Sequence, residues 1–412
     1  MAALVASGTI RATANELSDF ALGEALGKEA LTLARSLNDK AAEAKIQWNL
    51  LNVYRMTGRN QQALAAGERS LALAQELDLR EQMAYTANDM VYVYQAAGDM
   101  DRMVVLAEMA AALWREVGNQ PMLTDSLVIL ANGQAMGGFY DAALTIVAEA
   151  LQISQSLENK WATSYSLYTY ALVYWHTMRV APALAAMNES IQLAHMVGFT
   201  GGQVLVRLFQ AQLYLGLGDL VQARALAEAA HQIAASAIPL FVPTALGVLA
   251  LVAMQEGKLA AAEQIIATHN FKDLPFSLMN FLTPELAVCQ FALMLGNYAE
   301  AHAFSNQILT HVLQKNLRMY SPEFYHMQGR ALLGLKRTAE ARTALECALT
   351  VLRETGSRWN FTEIASLLAD VEEQLGNNET AVALRRETRT MIDEITQQIP
   401  QGAAPPGADV GQ

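Results

Sequence analysis

A short motif recurs along this chain with a period of forty residues, and that recurrence limits the fold more than any other feature. In Tyr54-Arg-Met-Thr-Gly58-Arg-Asn-Gln-Gln-Ala63, an apolar helix end meets a glycine turn, and an alanine follows five residues later. The turn position returns at Gly98, Gly138, Met178, Gly218, Gly257, Gly296, Lys336 and Gly376, at spacings of 39 or 40 residues. Counting back by 40 places another turn near Ser18. A fixed period of this size marks a stack of identical supersecondary units. No strand-like alternation competes with it.

Each element of the motif has a physical reason. Glycine ends a helix by accepting a left-handed backbone without steric cost. Small residues stand seven before the turn, at Ala131, Ala171, Ala211, Ala250, Cys289, Gly329 and Ala369. They stand again five after it, at Ala63, Ala143, Ala183, Ala223, Ala262, Ala301, Ala341 and Ala381. Two crossing helices approach closely only where the side chains between them are small. Tyr54, Tyr94, Tyr174 and Tyr214 stand four before the turn, where they fill the gap between neighbouring hairpins. Polar stops such as Leu37-Asn38-Asp39 and Thr355-Gly356-Ser357 separate one hairpin from the next. Thr283-Pro284-Glu285 and Ser321-Pro322-Glu323 read as helix starts, with a capping hydroxyl, a first-turn proline and an acid near the positive helix end.

The small residue, Tyr, Gly and Ala at these offsets resemble the tetratricopeptide repeat. The 40-residue form is similar to the repeat region of bacterial regulators of the maltose-regulon-activator type and to C-terminal repeats of bacterial signalling ATPases and cyclases. The resemblance covers about 95% of the chain. It implies an all-α fold, a right-handed α-α superhelix of about nine to ten helical hairpins over residues 1–398, followed by a disordered tail over 399–412. It also implies that helix A of each hairpin faces a concave groove, and that the chain is a detached part of a parent protein whose missing N-terminal domain is one candidate partner.

Composition fits this reading. The 412 residues are 53% hydrophobic and only 17% charged, with 25 Gly and 10 Pro. Forty acidic residues against 28 basic ones leave a formal charge of −12, which repels phosphate backbones and anionic lipid. Neither nucleic acid nor a membrane is therefore an expected partner. The uncharged run from Ile238 to Met254 is shorter than a membrane span of ~20 residues, is interrupted by Pro239 and Pro243, and falls where the repeat needs a buried helix. Two unpaired cysteines, Cys289 and Cys347, and a start without a secretory pattern point to the cytoplasm.

Carried over residue by residue, the groove positions are Lys45, Trp48, Asn52 and Arg55, then Tyr85, Asn88, Tyr92 and Gln95, then Asn132, then Tyr165, Tyr168 and Trp175. Asn donates and accepts toward a peptide backbone, and Tyr and Trp give contact area at low entropic cost. The function this implies is an interaction module of a bacterial regulator or scaffold, binding a protein or peptide segment. An alternative is an effector-sensing domain that binds a small ligand in the groove and shifts self-association, with a homodimer as one state. A plainer reading has the same aromatics packed between helices. The family's carboxylate clamp needs lysine where Trp48 stands, so that part of the resemblance fails. Further along, the groove positions turn aliphatic (Leu205, Leu208, Gln212, Leu215, Leu251, Met254, Leu286, Gln290, Leu293) and then charged (Glu323, His326, Arg330, Glu363, Asp370, Glu373), and Leu and Met at this spacing are more often core than binding surface.

No catalytic constellation stands out, so an enzyme is not expected. The seven histidines form no i, i+4 pair or His-Glu-x-x-His pattern, and no phosphate-binding loop or nucleophile elbow occurs. The chain is expected to use no metal and no cofactor.

Overall fold

In a computed structural model of the protein, the described residues are 2–12, 19–274 and 281–398. The turn expected near Ser18 and the tail from residue 399 lie outside them. Two compact units divide the chain, Met1–Gly133 and Gln134–Gln412. The first holds α1 (Ala2–Ala12), α2 (Phe20–Ser36), α3 (Lys40–Met56), α4 (Asn60–Glu76), α5 (Arg80–Ala97) and α6 (Met100–Val117), and the boundary falls inside α7 (Gln120–Met136). The second continues with α8 (Tyr140–Ser156), α9 (Lys160–His176), α10 (Val180–Met196), α11 (Thr200–Gly216), α12 (Leu220–Ala237), α13 (Val242–Gln255) and α14 (Leu259–Thr268). It ends with α15 (Thr283–Met294), α16 (Tyr298–Gln314), α17 (Ser321–Gly334), α18 (Thr338–Thr355), α19 (Phe361–Gln374) and α20 (Asn378–Thr396). No strand occurs among the described residues. The fold class is the all-α superhelix that the period implies.

Left-handed backbone marks both kinds of turn. Within hairpins it falls at Gly58, Gly98, Gly138, Met178, Gly218, Gly257, Gly296, Lys336 and Gly376; between them it falls at Asn38, Asp78, Gly118, Glu158, Gly198, Asn316 and Gly356, among others. Ala131, Ala171, Ala211, Ala250, Cys289 and Ala369 are each fully buried, as are Ala63, Ala143, Ala183, Ala223, Ala262, Ala301 and Ala341. Small side chains thus sit at every crossing they were expected to permit. The hairpin tyrosines have an added role: Arg59 lies over Tyr54, Arg102 over Tyr94 and Arg179 over Tyr174, joining the end of helix A to the start of helix B.

The uncharged run becomes α13, in which every residue from Thr244 to Met254 is buried. No helix among the described residues is long and apolar enough to cross a membrane. Gly247 is needed there because a Cβ would lie 3.0 Å from Thr283 C and Pro284 N, which are backbone atoms of the next helix start. Glycine to alanine in a helix interior is normally a gain of about 1 kcal/mol. Here Gly247→Ala is expected to lose about 1 kcal/mol instead, because overpacking against backbone outweighs that gain; urea unfolding measures the sign.

The expected capping hydroxyls do not cap. Thr283 and Ser321 are already inside their helices, whose caps are Leu282 and Tyr320. Thr283 Oγ1 is buried without a partner, and Ser321 Oγ donates to Arg318 O at 3.3 Å. Proline at the first turn leaves both helices starting one residue earlier than the hydroxyl needs. Glu285, read as a dipole partner, is buried with both carboxylate oxygens unpartnered.

Candidate functional site

In the first unit the sequence-derived groove residues hold one another. Trp48 Nε1 and Asn52 Nδ2 both donate to Asp89 Oδ2, at 2.6 and 2.8 Å. Arg55 donates to Asn52 Oδ1 at 2.9 Å and lies over the Tyr92 ring. One hairpin on, Asn88 Nδ2 donates to Asp125 Oδ2 at 3.0 Å and Asn88 Oδ1 accepts from Ser126 at 2.6 Å. Burial pushes the Asp125 carboxyl up to about 6. Trp48, Asn52, Asn88 and Asn132 are buried, while Arg55, Tyr85, Tyr92 and Gln95 are partly so. Lys45 is exposed, and it borders an open recess of about 760 Å³ with Trp48 and Tyr85. These polar groups form a ladder between successive A helices, and most of their hydrogen-bonding capacity is used inside it.

The second unit places Tyr168 and Trp175 in packing roles. Tyr168 stacks on Phe209 at 5.2 Å, and Trp175 packs on Phe209 at 5.5 Å and edge-on to Trp359 at 5.1 Å. Tyr165 is partly buried between Trp161 and Tyr168. Of these three, only Tyr165 presents surface.

The cleft that remains open in this unit is built from the aliphatic and charged groove positions. Residues Gln212, Leu251, Leu286, Arg330 and Glu363 come from α11, α13, α15, α17 and α19, the A helices of successive hairpins, and share one cavity of about 330 Å³. Its floor is apolar, with Leu215, Leu251, Met254 and Leu286. A second lobe of about 580 Å³ adjoins it and is lined by Arg358, Thr362, Ser366 and Asp370 beside Leu367, Ile392 and Ile395. His326, Arg330, Trp359, Asn360 and Glu363 border both lobes.

The roof of the cleft comes from the linker before α19. Ser357 Oγ, the Arg358 amide and the Trp359 amide all donate to the carbonyl of His176, at 3.1, 2.8 and 3.1 Å. That carbonyl ends α9, where no intrahelical donor is left for it. The Trp359 ring lies against Gly216, where a Cβ would be 2.3 Å from Cη2. A parallel contact joins the linker before α17 to the end of α7, through Met319 N to Met136 O at 3.1 Å. The second unit therefore curls until hairpins far apart in sequence touch. This clasp carries no periodic signal in the sequence.

Burial sets the electrostatics of the cleft. Glu323 is pushed up to about 7 although Asn360 donates to it at 3.2 Å. Glu363 is raised too, with Arg330 opposing the shift. Glu363 is exposed and borders both lobes. Desolvation pulls His326 down to about 3 and lowers Arg330, which donates to Gln290 Oε1 at 2.6 Å. Among the described residues no group of three or more His, Cys, Asp or Glu side chains could hold a metal ion.

No family model and no curated protein matches the sequence. Solved structures do match. A Rap protein complexed with competence and sporulation factor superimposes with a TM-score of 0.56 at 13% identity, over 87% of this chain and 100% of that one. The Rap conjugation gene regulator of plasmid pLS20, in complex with the Phr* peptide, gives 0.55 at 12% identity over 86% and 98%. The apo quorum sensor NprR from B. thuringiensis gives 0.51 at 14% identity over 87% and 99%. The chain has the fold of tetratricopeptide-type helical repeat proteins. Identities this low establish the solenoid's fold and leave its ligand to be argued from its own residues.

Proposed function

We propose that the solenoid is a non-catalytic binding module of a cytoplasmic bacterial regulator or scaffold, and that it takes a peptide segment in the two-lobed cleft of the second unit. The observation that carries this is the convergence of five successive A helices on one cleft with an apolar floor and unsatisfied polar walls. Extended segments suit such a surface, because backbone and alternate side chains are met by different repeats. Two of the structural neighbours hold a peptide or signalling factor, which supports the reading at the level of the fold. The roof over the cleft favours a second reading, a sensor for a small effector, since Trp359 narrows the opening.

Twelve-residue peptides selected from a display library against the whole chain test this. Selected binders are expected to lose affinity about tenfold or more on Arg330→Ala and on Trp359→Ala, a change of about 1.4 kcal/mol or more. Binders indifferent to both changes would remove the cleft from the proposal.

A further inference from the structure

Many arginines of this chain pair with a carboxylate. Arg59 pairs with Glu24 at 2.8 Å, Arg224 with Glu256 at 2.5 Å and Arg342 with Glu372 at 2.7 Å. Arg330 and Glu363 break that habit. They border the same two lobes and act on each other's charge, yet no ion pair joins them. Only the Gln290 amide oxygen accepts from the guanidinium, through Nη1. Arg330 borders both lobes and carries a planar fork of five donors. Beside it, His326 is 5% exposed and its Nδ1 has no hydrogen-bond partner. Gln212 Nε2, on the far wall, is unpartnered as well.

Arg330 is half-buried, and a charge withdrawn from water is costly unless a partner compensates it. A cation and an anion held apart in one cleft are compensated together by a ligand carrying both opposite charges. The apolar floor between Leu251, Met254 and Leu286 specifies what lies between those charges.

Building on the binding role proposed above, we infer that the cleft is a receptor for a dipolar ligand of amino-acid type, with a carboxylate on the Arg330 fork, a cationic nitrogen on Glu363 and an apolar side chain on the Leu251–Met254–Leu286 floor. Guanidinium and carboxylate match in a planar, bidentate geometry. A free amino acid and a peptide segment with adjacent acidic and basic side chains share this chemistry.

Four probes, titrated against the whole chain with tryptophan fluorescence and calorimetry as readouts, separate the cases. L-leucine carries both charges at its α-carbon. The blocked tripeptide acetyl-Glu-Leu-Lys-amide carries them only on side chains. Acetyl-leucine and leucine methyl ester each carry one. Saturable binding of L-leucine assigns a free amino acid as the source, and binding of the tripeptide assigns a peptide segment. The bound dipolar probe is expected to weaken about tenfold on Arg330→Gln and about tenfold on Glu363→Gln, with both variants retaining the parent melting temperature within a few degrees. Failure of both dipolar probes, equal binding of the singly charged ones, or indifference to Glu363→Gln overturns the inference. Library-selected peptides that need Arg330 and Trp359 but not Glu363 would overturn it while leaving the cleft as a peptide site.

Discussion

Gly138→Ala is expected to destabilise the protein by about 3 kcal/mol, while the equivalent change at Gly58 costs only about 1 kcal/mol. Both glycines occupy the same turn of the repeat with left-handed backbone, φ 73° at Gly58 and 83° at Gly138. A Cβ at Gly58 would meet nothing within 4 Å, so only the backbone conformation is penalised there. At Gly138 it would lie 2.5 Å from Thr355 Cγ2 and 3.3 Å from Arg318 Cβ, where the linkers before α19 and α17 dock. The excess therefore measures the clasp. Urea unfolding of the two variants gives the difference. Hydrogen exchange localises it, since the amides of Arg358 and Trp359, bonded to His176 O, should exchange faster in Gly138→Ala and not in Gly58→Ala. Equal costs would mean that the clasp contributes nothing to stability.

The period made the hairpins legible because each unit repeats the same local problem: a turn, a close crossing and a buried face. It worked even where the glycine is missing. Met178 and Lys336 adopt the left-handed turn at φ 52° and 61°, held there by the hairpins on either side. What the period could not show is where one hairpin meets another far along the chain. Ser357 and His176 are 181 residues apart, and nothing local to either announces the other. The site is harder to read for a related reason. Asn52 and Asn88 have the chemistry of peptide contacts, but Asp89 and Asp125 one repeat on consume it. Sequence showed the types and hid the partners. In the second unit the groove positions turn aliphatic and then charged, and their order in the sequence does not show which of them meet. Curling of the repeats brings Leu251 and Arg330 to one cleft, which no single helix reveals.

Glu285→Gln is expected to stabilise the protein at pH 8 by about 3 kcal/mol and to change little at pH 5. The side chain is 3% exposed and neither of its oxygens has a partner, so burial pushes its carboxyl from 4.5 up to about 7, opposed only by its own backbone amide. The sign follows from where the proton is held. Folded protein binds it more tightly than unfolded chain, so the stabilisation is fully present below pH 4.5 and is lost as pH rises through 7. Glutamine keeps the shape of the neutral acid and cannot ionise. Glu323, also raised to about 7, adds a slope of the same sign. The buried imidazoles of His176 and His326 act oppositely: both are pulled down to about 3, so their stabilisation holds above 6.5 and fades as pH falls below it. Between about pH 4.5 and 6.5 the two slopes oppose each other, and above that range the loss from the buried acids stands alone, so the parent should lose stability from pH 6.5 to 8. Urea unfolding of parent and Glu285→Gln across pH 5 to 8 tests this directly. A difference between them that does not grow with pH would show that the Glu285 carboxyl finds water or a partner in the folded protein.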